Sequence, residues 1–587
     1  MKSTAAALAL LVFAGCATTS ADGGPAAPSQ FPSRAKLEEI AAAPPPAKIN
    51  GDQGIAANNW ELSGPLPDTI EPMQYTDGSP WQALLAEAAA ARPGLVALPA
   101  SMHCVAQETG LFYLDKHALP AERLSRFIAG RCGAVSGEVR VSYLETDVPE
   151  GIAPEKIVEH YRPEILEHIQ RAIAAGVLQA GIWIGQKERH AVIMISVAVR
   201  RANLETLPLV PGADGRVVIR GELLDAAEHV EAVYNRGHYG FGRCSADPTV
   251  LLPRFSITCE VDAADAEAWI EVAAFPAGRV LGHVVASLVV YPARTLSSTY
   301  HDAGYVTRSV PAGADARAQL FGLVNEVRKG AGLPEVALAD RECAVAERVA
   351  PHYFAAVAGA EPELVADEVV LGLRAGWEVD GDVLNGAFTA GALVQTDDLG
   401  QLLDAVLERP SGRAALLDHA ARLVAFGPVV APAQHVIAMV ATSYTLFAGA
   451  NHAADAQRVL GRLTKARLDQ RMPPPPRAPN LQGEADEASA KVARGELTPR
   501  RALERLLQHS AERFAGVGFH GWVFEASSVD DIRFPAELLR APVGGVAISV
   551  NHYRPKNGPW SRLIIFILTA GPSSHGLTTV AREATTL

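Results

Sequence analysis

Leu320-Phe321-Gly322-Leu323-Val324-Asn325-Glu326-Val327-Arg328-Lys329-Gly330-Ala331-Gly332-Leu333-Pro334 is the stretch whose reading decides the fold. Leu320, Leu323, Val324 and Val327 recur at i, i+3, i+4 and i+7, which is one face of a helix. Gly330 and Gly332 stop that helix, and Pro334 keeps it stopped. A second helical pattern runs from Asp340 to Ala350, with Asp340 at the N-cap position. Pro410-Ser411-Gly412-Arg413-Ala414-Ala415-Leu416-Leu417 reads as another helix. Phe426-Gly427-Pro428-Val429-Val430 and the run His435 to Ala441 read as two apolar strands.

This order of pieces, from Ala318 to Tyr444, resembles the CAP superfamily: the cysteine-rich secretory, antigen 5 and pathogenesis-related proteins and their bacterial relatives. The resemblance implies an α-β-α sandwich over residues 310–450, with a central cleft. The family lines that cleft with two His and two Glu, sometimes proposed to bind a metal. Its second His stands in an S-P-G-H-R-x-N-L-L motif, where this chain has Gly412 at the His position and Ala415 at the Asn position. The first His belongs near Ala350. His352 stands two positions further on and so faces another side of its helix. The cleft candidates that remain are His352, Glu378 and His419, Glu378 being the best match to a cleft Glu; their adjacency in the fold would revive an enzyme. A site built on imidazoles needs several converging ligands. With the tetrad broken, the expectation is no metal, no cofactor and no catalytic residue.

At 587 residues the chain exceeds one core, since domains run to ~100–200 residues. Apolar residues make up 49%, enough for large cores, and the net charge of -13 argues against nucleic acid as a partner. H-E-x-x-H, G-x-S-x-G and Walker A patterns are absent from the sequence. Gly516-Val517-Gly518-Phe519-His520-Gly521 satisfies G-x-G-x-x-G, but it follows a helical pattern and precedes a strand. A phosphate loop needs the reverse order, so that the anion meets a helix N-terminus.

At the N-terminus Lys2 precedes a short apolar run, Ala5 to Phe13, well below the ~20 residues of a spanning helix. It ends in Phe13-Ala14-Gly15-Cys16, which resembles the lipobox of bacterial lipoproteins. The resemblance implies a signal peptide over 1–15, cleavage before Cys16 and acylation of Cys16 with chains such as palmitate. With Ala17 rather than Asp after it, the implied destination is the outer membrane, facing the periplasm or the surface. The implied partners are the membrane, through that lipid, and an envelope ligand or protein. Export means an oxidising compartment, so the cysteines become disulfide candidates. The expected pairs are Cys104–Cys132 and Cys244–Cys259, each worth ~3 kcal/mol through loop closure. Cys343, on the apolar face of its helix, is expected to be an inert buried thiol.

The expected fold class is multidomain α+β: CAP-like α-β-α units plus an all-β Ig-like sandwich. Residues 16–78, rich in Ala, Pro and Gly, read as a tether, and 79–202 as a diverged CAP-like αβ domain. Residues 203–305 carry short strand runs separated by Gly, Pro and Asp turns, the pattern of a sandwich. Residues 451–570 read as a third CAP-like unit and 571–587 as a loose tail. Leu166 to Gly176 aligns without gaps on Leu417 to Gly427, and His190 to Met194 aligns on His435 to Met439. On that alignment a helix ends at a Gly and two strands follow, and His168/His419 and His190/His435 recur. A histidine bonded to backbone at an element end explains such recurrence more cheaply than a shared site does. Tyr234 to Cys244 is an aromatic, Gly-rich loop, either a binding surface or packing on a disulfide. Three functions follow from these readings: a non-enzymatic envelope lipoprotein that binds or scaffolds, a hydrolase of peptidoglycan or peptide in the CAP cleft, or a lipid-binding CAP protein.

Overall fold

The computed structural model describes most residues from 32 to 583. Residues 15–31, 45–53, 71–79, 91–99, 173–178, 573–580 and 584–587 lie outside the described residues, with shorter gaps elsewhere. Cys16 is among them. The fold is mixed α+β, and the chain divides into two compact units. One gathers Arg34–Leu373 and Ala387–Ser443; the other gathers Arg374–Gly386 and Tyr444–Leu587. Among the described residues no helix is long and apolar enough to cross a membrane.

One order of elements occurs three times. Helices Pro80–Ala90, Ala100–Lys116 and Glu122–Arg131 lead to strand Val139–Asp147, helices Pro154–His160 and Arg162–Ala172, then strands Gln179–Lys187 and His190–Ala198. Helices Ala316–Gly330, Asp340–Val357 and Glu363–Ala375 lead to strand Val383–Val394, helices Leu399–Glu408 and Pro410–Leu416, then strands Leu423–Ala431 and Val436–Leu446. Helices His452–Asp469, Pro479–Ala493 and Pro499–Arg513 lead to strand Val517–Ala526, helix Ala536–Arg540, then strands Gly545–Tyr553 and Arg562–Pro572. In each sheet the third long strand lies between the first and the second.

Alternation along the strands explains the layering. In the last module Trp522, Phe524, Ile548, Ile565 and Ile567 pack with Val459 and Leu463 of the first helix. Their neighbours Phe519, Val523, Ala547, Ile564 and Phe566 face Leu481, Ala485, Leu503 and Leu507 of the next two helices. Successive side chains leave a strand on opposite faces, so a sheet apolar on both faces demands helices on both sides.

Details recur as well. Arg328, fully buried, donates from Nε to the Pro334 carbonyl (2.8 Å) and from Nη1 to the Leu416 carbonyl (2.7 Å). Arg467 donates from Nε to the Pro473 carbonyl (3.1 Å) and from Nη1 to the Leu538 carbonyl (2.7 Å). Each arginine thus ties the turn after the first helix to the helix before the last two strands. The turn takes a left-handed residue at the same place, Gly332 in one module and Arg471 in the other. The fourth residue of each module's second helix reaches the same strand position. His103 Nδ1 lies 2.7 Å from the Ile182 carbonyl, Cys343 Sγ accepts from the Phe426 amide (3.4 Å), and Gln482 Nε2 donates to the Ile548 carbonyl (2.8 Å).

Between the first two modules lies an all-β region of two antiparallel sheets. Arg254–Glu260, Arg216–Leu223 and Ala202–Leu204 with Ser245–Ala246 form one; His229–Arg236, Ala268–Phe275, Leu281–Val290 and Gly240–Arg243, with Phe13–Ala14 at the edge, form the other. Both contribute to one core, with Val217, Ile219, Ile257 and Cys259 from one sheet against Ala232, Ile270, Val272 and Leu288 from the other. Cys244 is bonded to Cys259 where the chain passes between the sheets, and Cys104 is bonded to Cys132 across two helices of the first module.

Several expectations need correction. The 16–78 tether is folded over some of its length: helix Arg34–Ala42 buries Leu37 and Ile40, and Asn59–Glu61 pairs with Thr299–His301. Leu37 and Ile40 make one apolar helix face, which the Ala and Pro content conceals. The boundary at 202/203 does not separate distinct cores, because Phe112, Phe127 and Ile128 share the sandwich core. Asp340 is the first helical residue rather than the cap, which is Ala339 without a side-chain bond. The 571–587 tail contains the strand Ala581–Glu583, parallel to Gly521–Val523. The repeat register is also displaced. Residues 417–422 form a turn, and Gly427 lies inside a strand rather than ending a helix. Strand starts Gln179 and Leu423 are equivalent, so the sequence alignment is off by about two helical turns, a shift that leaves the apolar face nearly unchanged.

Candidate functional site

The motif helix Pro410–Leu416 is where sequence signals converge. A Cβ on Gly412 would stand 1.9 Å from the Val406 carbonyl oxygen, so this position admits no side chain without moving backbone. Arg413, the next residue, is buried and donates from Nε to the Leu407 carbonyl (2.8 Å). Its Nη1 donates to the carbonyls of Gly237 (2.8 Å) and Gly240 (3.0 Å), in the aromatic loop of the sandwich, and its Nη2 to the Tyr305 hydroxyl. Tyr305 stacks on His238 at 4.7 Å and takes Arg413 over its ring at 5.3 Å. Burial pulls Arg413 below the ordinary guanidinium range and pushes the Tyr305 phenol up. The aromatic loop, which the sequence leaves between a binding surface and packing on a disulfide, therefore has an intrachain occupant, Arg413.

Around this contact runs a set of buried ion pairs. Glu271, fully buried in the apolar strand Ala268–Phe275, accepts from Arg126 Nη2 (2.8 Å) and from Ser411 Oγ (3.2 Å). Arg123 Nε lies 3.1 Å from Glu408 Oε2, and Arg409 pairs with Glu122. Asn235 Nδ2 donates to the Glu408 carbonyl (2.8 Å), and Asp404 Oδ1 accepts from the Tyr305 and Val306 amides. Burial raises the Glu408 carboxyl above its usual range, with Arg123 and Arg126 opposing the rise. A second clamp joins the sandwich to helix Glu363–Ala375: Asp367 pairs with Arg279 and accepts from the Leu281 amide (3.0 Å). Desolvated charges are stable only when paired in this way.

The cleft candidates sit in unlike surroundings. His352 is buried with Nδ1 2.9 Å from Glu361 Oε1. His419 is exposed in a turn, Nδ1 3.5 Å from Asp418. Glu378 belongs to the second compact unit, beyond the end of helix Glu363–Ala375. Among the described residues no group of three His, Cys, Asp or Glu is placed to hold a metal. Cys343 is buried, and burial pushes its thiol up to about 11.

Sequence reading missed Arg123, Arg126, Glu271 and Glu408. Glu271 alone left a signal: a single carboxylate inside Ala268-Trp269-Ile270-Glu271-Val272-Ala273-Ala274-Phe275, which no apolar strand tolerates unpaired. The sequence alignment sets His168 against His419, but the structural register sets it level with Gly412. The helices ending at Ala172 and Leu416 stand the same distance before equivalent strands. His168 is 4% exposed and neither ring nitrogen has a hydrogen-bond partner among the described residues.

No family model and no curated protein sequence matches the chain. Among solved structures, a cysteine-rich secretory protein from Staphylococcus aureus is similar at 8% identity with a TM-score of 0.18, over 45% of this chain and 85% of that one.

Proposed function

We propose that this chain is a bacterial envelope lipoprotein in which CAP-like modules and a β-sandwich form a scaffold for binding or assembly rather than an enzyme. The observation that carries the reading is the use made of the motif helix. Gly412 is closed against the Val406 carbonyl, and Ser411 and Arg413 are engaged by Glu271, Gly237 and Gly240. Groups already bonded inside the chain are not free to polarise a substrate or move its protons. The lipobox resemblance at Cys16 supplies the anchor in this reading, the outer membrane its address, and an envelope ligand or protein its partner.

The test has two arms. Cells fed an alkyne-tagged palmitate are expected to label the chain, and Cys16→Ser is expected to abolish the label. The lipidated protein incubated with purified peptidoglycan or with casein is expected to release no soluble fragment above a heat-killed control. Fragment release that His352→Ala or Glu378→Gln removes would replace this reading with a hydrolase.

A further inference from the structure

The charge of this chain is divided unevenly. Residues 451–587 hold 18 Lys and Arg against 13 Asp and Glu, a net +5; the other 450 residues hold 34 against 52, a net -18. Within this basic module the helix Pro499–Arg513 packs one face on the sheet, burying Ala502, Leu503, Leu506 and Leu507. Its outer face carries Arg500, Arg501, Arg505 and Arg513 together with Glu504 and Glu512, and Arg513 pairs with Glu484. Arg500 is matched by Glu504 at 3.3 Å. Arg501 and Arg505 are exposed one turn apart, and neither has an ion-pair partner among the described residues.

We propose that this helix face docks the C-terminal module on an anionic phospholipid bilayer. Cationic side chains near such a surface are attracted within about a Debye length, ~8 Å at physiological salt, so a local basic face acts despite the acidic remainder. The geometry suits a surface contact: the apolar side of the helix is already buried, so docking needs no insertion and rests on charge alone. The inference goes beyond the scaffold reading and does not depend on acylation of Cys16.

Full-length chain made by cell-free synthesis carries no lipid and is the form to test. It is expected to sediment with vesicles containing one-third phosphatidylglycerol at least ten-fold better than with pure phosphatidylcholine vesicles at low salt. Raising the salt to 0.5 M is expected to remove the difference, and Arg501→Glu with Arg505→Glu to reduce it several-fold at an unchanged circular dichroism spectrum. Equal sedimentation with both vesicles, no effect of the double reversal, or salt-sensitive association of the protein with itself in place of vesicles would each overturn the proposal.

Discussion

At the residue scale, two positions on equivalent helices make opposite demands. Gly412 has no room for a side chain, so Gly412→Ala is expected to destabilise the chain by about 1–3 kcal/mol through overpacking against the Val406 carbonyl, read as a lowered urea midpoint. Any larger side chain there, histidine included, is expected to cost at least as much. His168 does have room but no partner. Burial holds its imidazole down at about 4, from an ordinary value of 6.5. The neutral ring is therefore favoured in the folded chain, and its contribution is complete above pH 6.5. As the pH falls from 6.5 towards 4 the unfolded chain takes up a proton that the folded chain refuses, so stability declines by about 3 kcal/mol across that window. His168→Phe is expected to remove this part of the acid sensitivity; urea midpoints at pH 7.5 and 4.5 that fall equally in both proteins would refute it.

Elements are held by clasps that periodicity does not reveal. Helix Ala316–Gly330 could be read from its apolar spacing, yet Arg328, on the charged-looking part of that helix, is fully buried on the carbonyls of Pro334, Leu416 and Asp418. Arg328→Met keeps the stem and removes the donors, leaving buried acceptors unpaired, for a loss of about 3 kcal/mol. Arg467→Met is expected to act alike in the last module, and hydrogen exchange followed by mass spectrometry would locate each loss in its own module. Leu37 is the corresponding lesson in a segment that looks disordered. Leu37→Asp is expected to release helix Arg34–Ala42, seen as proteolytic cleavage near Arg34 and Lys36 while the remainder stays resistant.

For the whole molecule, the two disulfides and the buried ion pairs around the motif helix all lie in the first compact unit. Replacing Cys104 and Cys132 with Ser opens a loop of 28 residues and is expected to cost about 3–4 kcal/mol in that unit, with amide exchange of Tyr444–Leu587 unaffected. Asp367 and Glu408 extend the same theme. Both are carboxylates raised by burial, and each is tied to an arginine from another region of the unit.

The sequence by itself determined many of the elements of this protein and much of their order. Local apolar periodicity marked the helix from Leu320, the sandwich strands and the strand beginning at His190, because one helix or strand face reports on its neighbours within a few residues. It also named the cysteines now found paired. Tertiary structure alone decided the rest, for three physical reasons. A displacement of two turns preserves a helical face, so only the strand pairing could set the repeat register and place His168 level with Gly412. Charges such as Arg413, Arg126 and Arg328 look solvent-facing until a distant carbonyl or carboxylate is brought beside them. Whether a glycine is a gap or a filled position, as at Gly412, depends on backbone that arrives from elsewhere in the fold.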